Sequence, residues 1–213
     1  RDVERSRGLG DVYKRQKVMP GDTVMVHHTT ITPCQKEYLL AFHKPAGIVC
    51  TTSKIDKNNV IDYLNFPERI YPVGRLDKES TGLLLLTNNG QLMDDILRGS
   101  NYHEKEYIVH VNKPITDSVL QAMAQGVPIL DTITRPCKIR RMGKDCFYIT
   151  LTQGLNRQIR RMCEYFDYRV TSLKRIRIMN IELGSLPVGK WRELTPSEIK
   201  TLKNLAQNKG EAE

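Results

Sequence analysis

The chain has 213 residues, which is enough for one sizeable domain and a small appendage but too few for several large domains. Hydrophobic residues make up 39% of the chain and charged residues 27%, a balance that excludes an intrinsically disordered protein. No apolar run approaches the roughly 20 residues of a membrane-spanning helix, and no segment near the start resembles a signal peptide, so a cytoplasmic location is the default expectation.

The first segments of the chain predict little regular structure. Residues 1–16 show no helical or strand periodicity, and we interpret them as an atypical or foreign stretch outside the fold. Residues 17–26 contain a Pro-Gly turn that leads into a short alternating strand, and the polar residues 29–35 are typical of a linker.

The main domain is predicted to span residues 34–207 and to be followed by a polar tail, 208–213. Its predicted strands cover residues 38–43, 48–52, 83–87, 106–111, 133–139, 147–151 and, with interruptions, 169–183. Its predicted helices cover residues 59–64, 90–98, 116–124, 156–166 and a last helix that begins after the capping residue Thr195. Strands and helices mix without a regular βαβ repeat. This order predicts the α+β class, with a mixed and mostly antiparallel sheet flanked by helices and loops.

Basic residues outnumber acidic ones by 33 to 24, and many of them are clustered between residues 135 and 177. One cluster consists of Arg135, Lys138, Arg140, Arg141 and Lys144. A second cluster consists of Arg157, Arg160, Arg161, Arg169, Lys174, Arg175 and Arg177. A solvated surface explains a net charge of +9 as well as a binding site does, but clustering of this kind favours a polyanion, and nucleic acid is the first candidate.

A candidate catalytic carboxylate lies in the loop that precedes the apolar strand at Leu83. Asp77 stands between Arg75 and Lys78, and these two cations would hold it in its ionised form. Such a carboxylate serves as a nucleophile or as a base. A loop salt bridge or a turn cap explains the same residues, and the spacing alone does not decide between these readings.

The helix predicted over residues 156–166 offers a partner for this carboxylate. At about 100° per residue its apolar side chains form one stripe, and Arg160 lies beside the edge of that stripe. Arg160 is therefore the arginine best placed to be half-buried, whereas Arg157 and Arg161 point to the far side and suit phosphate contacts. A solvated helix face is the alternative for all three.

Several segments resemble the RsuA/RluB/RluF family of pseudouridine synthases. The strongest is Gly74-Arg75-Leu76-Asp77 with the following Ser80-Thr81-Gly82-Leu83. Further matches, in the family's order, are residues 43–47, 103–109, 153–162 and 175–178, so that the similarity runs from about residue 37 to 200. Residues 126–130 and 156–180 most resemble the RluF branch, which modifies 23S ribosomal RNA.

The resemblance implies the pseudouridine synthase fold and a set of site residues. Asp77 matches the essential aspartate, which attacks the ribose, attacks the base or starts an elimination. Tyr107 matches the tyrosine that packs against the target base, and Arg160 matches the basic partner of the aspartate. Arg75 matches the arginine that fills the space left by a flipped nucleotide. The other RNA-binding candidates are Lys44, Arg157, Arg161, Lys174, Arg175 and Arg177.

The implied partner is structured 23S ribosomal RNA near the peptidyl transferase region, with a transfer RNA as a second candidate. The implied reaction needs neither a cofactor nor a metal, and no Cys-x-x-Cys pair or metal-ligand spacing of histidines is present. Residues 17–33 resemble the last part of an S4 RNA-binding domain plus a linker. A monomer is the default expectation, and a catalytically idle RNA-binding or ribosome-assembly protein on the same fold is the alternative.

Overall fold

The computed structural model describes residues 23–31, 36–52, 56–98 and 102–207. The chain divides into two compact units, residues 1–37 and 38–213. The predictions for residues 1–16 and 208–213 lie outside the described residues. The assignment of residues 17–33 to an S4 remnant, and the domain boundaries as a whole, stay predictions. Within the described ranges, no helix combines the length and apolarity needed to cross a membrane.

In the first unit, two short strands form an antiparallel hairpin. Strand β1 (Val24–Val26) pairs with β2 (Thr29–Ile31), and the turn between them is formed by His27 and His28 with φ angles of 46° and 63°. Two successive left-handed residues are what a two-residue hairpin turn requires. The predicted strand is confirmed over Val24–Val26, whereas the linker prediction is wrong for residues 29–31 because they pair with β1.

The second unit contains a large mixed sheet and five described helices. Its strands are β3 (Leu39–Lys44), β4 (Tyr71–Val73), β5 (Thr81–Thr87), β6 (Lys105–Val111), β7 (Pro128–Ile129), β8 (Thr132–Ile133), β9 (Lys138–Arg141), β10 (Cys146–Leu151), β11 (Val170–Ile178), β12 (Ile181–Glu182) and β13 (Trp191–Glu193). Its helices are α1 (Val60–Leu64), α2 (Gly90–Leu97), α3 (Asp117–Gln125), α4 (Gln158–Tyr165) and α5 (Pro196–Gln207).

The strand order of the large sheet is β13-β3-β5-β11-β6-β10-β9, and β7 and β8 form a separate small hairpin. All its pairings are antiparallel except the one between β5 and β11. On the edge of β5 that faces away from β3, β11 pairs with Thr81 and Gly82, and β4 pairs with residues 85–87. The predicted mixed, mostly antiparallel sheet is confirmed.

The run of four leucines from Leu83 to Leu86 explains why β5 lies at the centre of the core. Successive side chains of a strand point to opposite faces, and both faces of β5 are covered. Leu83 and Leu85 pack with α2 and α5, while Leu84 and Leu86 pack with α1 and the loops around it. A third cluster fills the space between α3, α4 and the strands β6, β10 and β11.

Side chains fix the starts of four helices, and for the last of them the sequence predicts the capping residue. Asn59, Asn89 and Thr116 each accept a hydrogen bond from a backbone N–H in the first turn of the helix that follows. Before α5, the Thr195 and Glu198 side chains cap each other's backbone N–H groups at 3.3 and 2.8 Å, which is the predicted capping box.

Several element predictions are wrong in detail. Residues 48–52 form no strand and contribute an isolated bridge between Val49 and Asn59. The strand predicted over 133–139 is divided into β8 and β9 by the irregular residues 134–137. Strands β4 and β13 were not predicted, because three residues are too few to show a period of two.

Candidate active site

A cleft of about 840 Å³ opens in the second unit, which is a size typical of ligand-binding sites. Its lining includes Arg75, Asp77, Tyr107, Arg157 and Arg175, all of which were predicted as site residues from the sequence. The other predicted residues, Lys44, Arg160, Arg161, Lys174 and Arg177, are not part of its lining. Residues from the first, middle and last thirds of the domain thus meet at one place.

Asp77 lies in the loop 74–80 that connects β4 to β5, and buried groups hold this loop from below. Leu76 is 8% exposed, and its N–H donates to the Sγ atom of Cys50 at 3.4 Å. The Ser80 N–H donates to the Asp77 carbonyl at 3.0 Å and closes the turn. The backbone on both sides of Asp77 is therefore anchored, while its carboxylate faces the cleft.

Lys44 supports the same loop from the end of β3. Its side chain is fully buried, and its ammonium group donates to the carbonyls of Pro45 and Lys78 at 2.7 and 3.2 Å. Burial lowers the pKa of Lys44, and the nearby carboxylates of Glu79 and Asp77 act against this shift. Because the ammonium is directed into the loop, a contact between Lys44 and RNA is disfavoured, and these contacts fit a role in positioning Asp77.

The Asp77 carboxylate is approached by two arginines that come from the region of α4. The Arg160 Nε donates a long hydrogen bond to Asp77 Oδ2 at 3.4 Å, and Arg157 Nη1 lies 3.9 Å from the same oxygen. The sequence predicted neighbouring cations, Arg75 and Lys78, as the groups that hold the carboxylate ionised. The resemblance also implied Arg160, 83 residues away in the sequence, as a partner, and the structure adds Arg157, 80 residues away.

Arg160 occupies the position that the helical periodicity indicates. It is 9% exposed, and its guanidinium also donates to Ser80 Oγ at 3.3 Å and to the Val170 carbonyl at 3.4 Å. The guanidinium therefore connects the Asp77 loop, α4 and β11. The predicted proximity to Asp77 is present, and the catalytic role of the pair is a proposal taken up below.

The placement of Arg157 differs from the prediction. Periodicity placed Arg157 on the far side of the helix together with Arg161, but Arg157 is the residue before α4 and has a φ of 51°. A left-handed residue is not in phase with the helix that follows, so its side chain turns toward Asp77. Arg161 does point away, and it donates to the Asn156 carbonyl at 3.1 Å.

A row of paired strand residues leads to the floor of the cleft, where two of its members, Arg175 and Tyr107, line it. Across adjacent strands, Lys44 is opposite Gly82, Gly82 is opposite Arg175, and Arg175 is opposite Tyr107. Gly82 has a φ of 105°, and a Cβ atom there would overlap the backbone carbonyl of Arg175, so a glycine is required where β5 meets β11. The Arg175 guanidinium lies 6.0 Å from the centre of the Tyr107 ring.

Arg177 lies on the opposite face from Arg175, although a regular strand would place both on the same face. The register of β11 against β6 shifts between these two residues, so that Arg175 is opposite Tyr107 and Arg177 is opposite Glu106. Arg177 donates to the carboxylates of Glu106 and Glu104 at 3.0 and 2.9 Å. Because two carboxylates neutralise it, a contact between Arg177 and RNA is disfavoured. Lys174, which is partly buried, also alternates away from the face of Arg175.

Lys105 and His103 are among the cleft residues that were not predicted as site residues from the sequence. Lys105 begins β6 two residues before Tyr107, and His103 lies just before the strand; both line the cleft. His103 Nδ1 is 3.0 Å from the Ile96 carbonyl, while its buried Nε2 has no hydrogen-bond partner. The period of two in β6 could have shown that Lys105 shares a face with Tyr107, but the predicted strand began one residue too late.

Outside the cleft, two cysteines have the character of core residues, whereas one histidine lies close to two other possible metal ligands. Burial raises the pKa of Cys137 to about 11 and that of Cys163 to about 12, which suits unreactive core thiols. His110, treated as isolated in the sequence, has a ring nitrogen within 4.8 Å of ligand atoms of Asp145 and Cys146. None of these three residues lines the cleft, and side chains of this kind often cluster without an ion.

Comparisons with known proteins agree with the geometry. Residues 38–165 match the family model for RNA pseudouridylate synthases. The dual-specificity RNA pseudouridine synthase RluF of Escherichia coli (strain K12) is 47% identical, over 98% of this chain and 75% of that relative. The ribosomal large subunit pseudouridine synthase B of Bacillus subtilis (strain 168) is 33% identical, over 90% of this chain and 82% of that relative.

A solved structure supports the same conclusion about the fold. A crystal structure of a pseudouridylate synthase matches this chain with a TM-score of 0.74 at 28% identity, covering 88% of this chain and 83% of that chain. The α+β pseudouridine synthase fold predicted from the sequence is thereby confirmed, and the comparisons favour an enzyme over an idle RNA-binding protein. The chain belongs to the family of RNA pseudouridylate synthases, and it isomerises uridine to pseudouridine in RNA.

Proposed function

We propose that this enzyme acts on a specific uridine in structured 23S ribosomal RNA near the peptidyl transferase region, with a transfer RNA as its second substrate. The resemblance to the RluF branch supports the ribosomal target. The names of two relatives are consistent with it, since one is a ribosomal large subunit enzyme and the other is of dual specificity. A cytoplasmic location is the expectation that goes with such substrates.

The observation that carries the proposal is the Asp77 carboxylate at the cleft, 3.4 Å from the buried guanidinium of Arg160. An ionised carboxylate held beside a fixed cation is suited to attack on ribose C1′, to attack on base C6, or to removal of a proton in an elimination. Arg160 orients the carboxylate in each of these routes. Isomerisation involves no net oxidation or reduction, so these residues can perform it without a redox cofactor.

The target uridine has to leave its stack to reach Asp77, because the reacting atoms are hidden in a helix. Tyr107, which lines the cleft on the same row as Arg175, offers a ring against which the extruded base can pack. Arg75 lines the cleft and is exposed, which suits the insertion of its side chain into the space that the base leaves. A loop or bulge uridine is the least costly to extrude.

Phosphate contacts fall to the basic side chains at the rim. Arg157 has a side chain that is 46% exposed, and Arg161 is partly exposed on the outer side of α4. Such contacts position the RNA without reading its sequence, and they weaken as salt is raised. We propose that the enzyme binds its RNA as a monomer.

The test supplies the protein to cells that lack their own enzyme for this site and maps pseudouridine in ribosomal and transfer RNA. We expect wild-type protein to restore modification at one 23S position and in a transfer RNA. Asp77→Asn should lower the rate by at least about a hundredfold, because the amide cannot act as a nucleophile or a base. Asp131→Asn is the matched control, since Asp131 is exposed in a left-handed turn position that asparagine accepts.

Two results would contradict the proposal. If the protein modified some other RNA and left 23S ribosomal RNA unmodified, the proposed target would be rejected. Full activity of Asp77→Asn would reject the role of Asp77 as the catalytic carboxylate. RNA binding measured in parallel separates a chemical defect from a binding defect, since Asp77→Asn should retain affinity.

A further inference from the structure

Two cations on the floor of the cleft have no carboxylate partner among the described residues. Arg175 is 2% exposed; its Nε donates to the Leu83 carbonyl at 2.7 Å and its Nη1 to the Arg75 carbonyl at 3.4 Å, but its buried Nη2 has no partner. Lys105 Nζ makes one long contact, 3.5 Å from the His103 carbonyl. Both residues line the cleft, and both retain N–H donors that the protein's own acceptors leave unused or only weakly paired.

Placing these cations together is unfavourable in the free enzyme. Burial, together with the positive charge of Arg175, lowers the pKa of Lys105 to about 8. Buried side-chain atoms without a partner are rare in folded proteins. In the described part of the chain there are three, and two of them, on Arg175 and His103, belong to residues that line this cleft. Unsatisfied groups beside a cleft need an explanation, and a catalytic role toward a bound substrate is one that fits their position.

The reaction generates a species with the required charge. When Asp77 attacks C1′ or starts an elimination, the C1′–N1 bond breaks and its electron pair stays on the uracil, which then carries one negative charge shared between N1, O2 and O4. C5 next forms the bond to C1′. As it does so, the bond between Asp77 and C1′ breaks or, in the elimination route, the proton that Asp77 removed returns to C2′. The proton on C5 is then lost, and N1 gains a proton. Atoms and electrons balance without any further reactant, but the negative charge has to be accommodated in between.

We propose that Lys105 and Arg175 form the site that binds this detached uracil anion, by donating hydrogen bonds to its carbonyl oxygens. This proposal rests on the proposed role of the cleft as the site where Asp77 acts on uridine. The base turns by half a rotation about the line through N3 and C6, which exchanges O2 with O4. Two donors on the floor can therefore hold the base before and after the turn.

The position of Tyr107 fits this arrangement. It is a neighbour of both cations, because it shares its strand face with Lys105 and is directly opposite Arg175 on β11. A base that packs on the Tyr107 ring is thus adjacent to both cations. No carboxylate of this floor competes for the donors, since Glu104 and Glu106 belong to the opposite face and hold Arg177.

The test measures single-turnover kinetics on a 23S ribosomal RNA transcript made with UTP or with 5-fluoro-UTP. Fluorine withdraws electrons and stabilises the uracil anion, so it replaces part of the stabilisation that the enzyme provides. We expect Lys105→Met to slow cleavage of the N-glycosidic bond about 10²–10³-fold with uridine RNA, as for loss of an oxyanion donor. With fluorinated RNA the loss should shrink to about tenfold or less, and RNA affinity should stay within about threefold.

Further variants separate this role from a structural one. Lys105→Arg keeps the charge and should retain most of the activity, whereas Lys105→Gln should show the same dependence on fluorine if Lys105→Met fails to fold. Lys200→Met is the control, since Lys200 is exposed on α5. Equal losses on both RNAs, or a loss confined to KM, would overturn the proposal. The proposed function fails separately, if wild type does not modify the transcript or if Asp77→Asn does.

Discussion

The two faces of the β6–β11 strand pair use the same residue types in opposite ways. On the cleft face, Lys105 and Arg175 are cations without acidic partners among the described residues. On the other face of the same two strands, Arg177 donates hydrogen bonds to both Glu104 and Glu106. The compensated face stabilises the sheet, and the uncompensated face is prepared for a substrate. Charge alone does not distinguish a binding residue from a structural one; the partner does.

The largest effect is expected where the two strands under the cleft approach each other. Gly82→Ala should destabilise the protein by about 3 kcal/mol or more, because the new methyl group overlaps the Arg175 backbone at a φ of 105°. For a domain of this size that corresponds to a fall in Tm of about 6–12 °C, measurable by calorimetry. Activity should fall with it, since Arg175 is displaced.

Gly90→Ala is the matched control for this substitution. Gly90 begins α2, and a Cβ atom there meets no other atom within 4 Å. Its effect should stay within about 1 kcal/mol and should be neutral or stabilising. If both variants lost the same stability, the close approach of β5 to β11 would not be what requires a glycine at position 82.

A smaller effect is expected on the compensated face. Arg177→Met leaves the partly buried carboxylates of Glu104 and Glu106 without their shared donor, at a cost of about 1–2 kcal/mol. Burial raises the pKa of Glu104, but hydrogen bonds from Lys138 and Arg177 outweigh it, and the net pKa is below the ordinary value of 4.5. The stabilisation is therefore present above about pH 4.5 and is lost as the pH falls.

Denaturant unfolding of wild type and Arg177→Met between pH 7 and pH 3 checks this prediction. The difference in the free energy of unfolding should narrow toward pH 3, where the carboxylates bind protons in both proteins. A difference that stays constant with pH would mean that the loss comes from packing and not from the ion pairs.

The smallest effect is expected in α5, which belongs to neither face. Hydrogen bonds from Arg192 lower the pKa of Glu198. Burial acts against this shift and hydrogen bonds from Thr195 add to it, and the resulting pKa is about 2. Glu198→Gln should cost about 1 kcal/mol at neutral pH. The wild-type advantage should be lost as the pH falls from about 4.5 toward 2. Because α5 is outside the cleft, RNA modification at 25 °C should be unchanged, which gives a baseline for destabilisation without a defect in the site.

Much of the fold could be predicted from local patterns. The leucine run of β5, the capping residues Asn89 and Thr116, and the capping box before α5 are each decided by neighbours within a few residues. Asp77 and Arg160 could be placed together because the motif resemblance joined two segments that periodicity treats separately. Whether they act as proposed is for the activity measurements to decide.

The remaining features depend on contacts that a linear pattern does not encode. The register shift in β11 sends Arg177 to the face opposite from the one that alternation assigns. The left-handed conformation of Arg157 takes it out of phase with α4 and toward Asp77. The lack of acidic partners for Lys105 and Arg175 can be recognised only once the positions of the nearby carboxylates are known.

The parallel pairing of β5 with β11 has a consequence for how the enzyme comes to be active. It joins Thr81 to Lys174 across 93 residues of sequence, and it brings Arg175 to the cleft. Closing so long a loop is slow compared with forming pairings between nearer strands such as β6 and β10. Catalytic competence is therefore expected to appear late in folding. A chain still being synthesised, with β11 inside the ribosome's exit tunnel, would have no cleft with which to engage RNA.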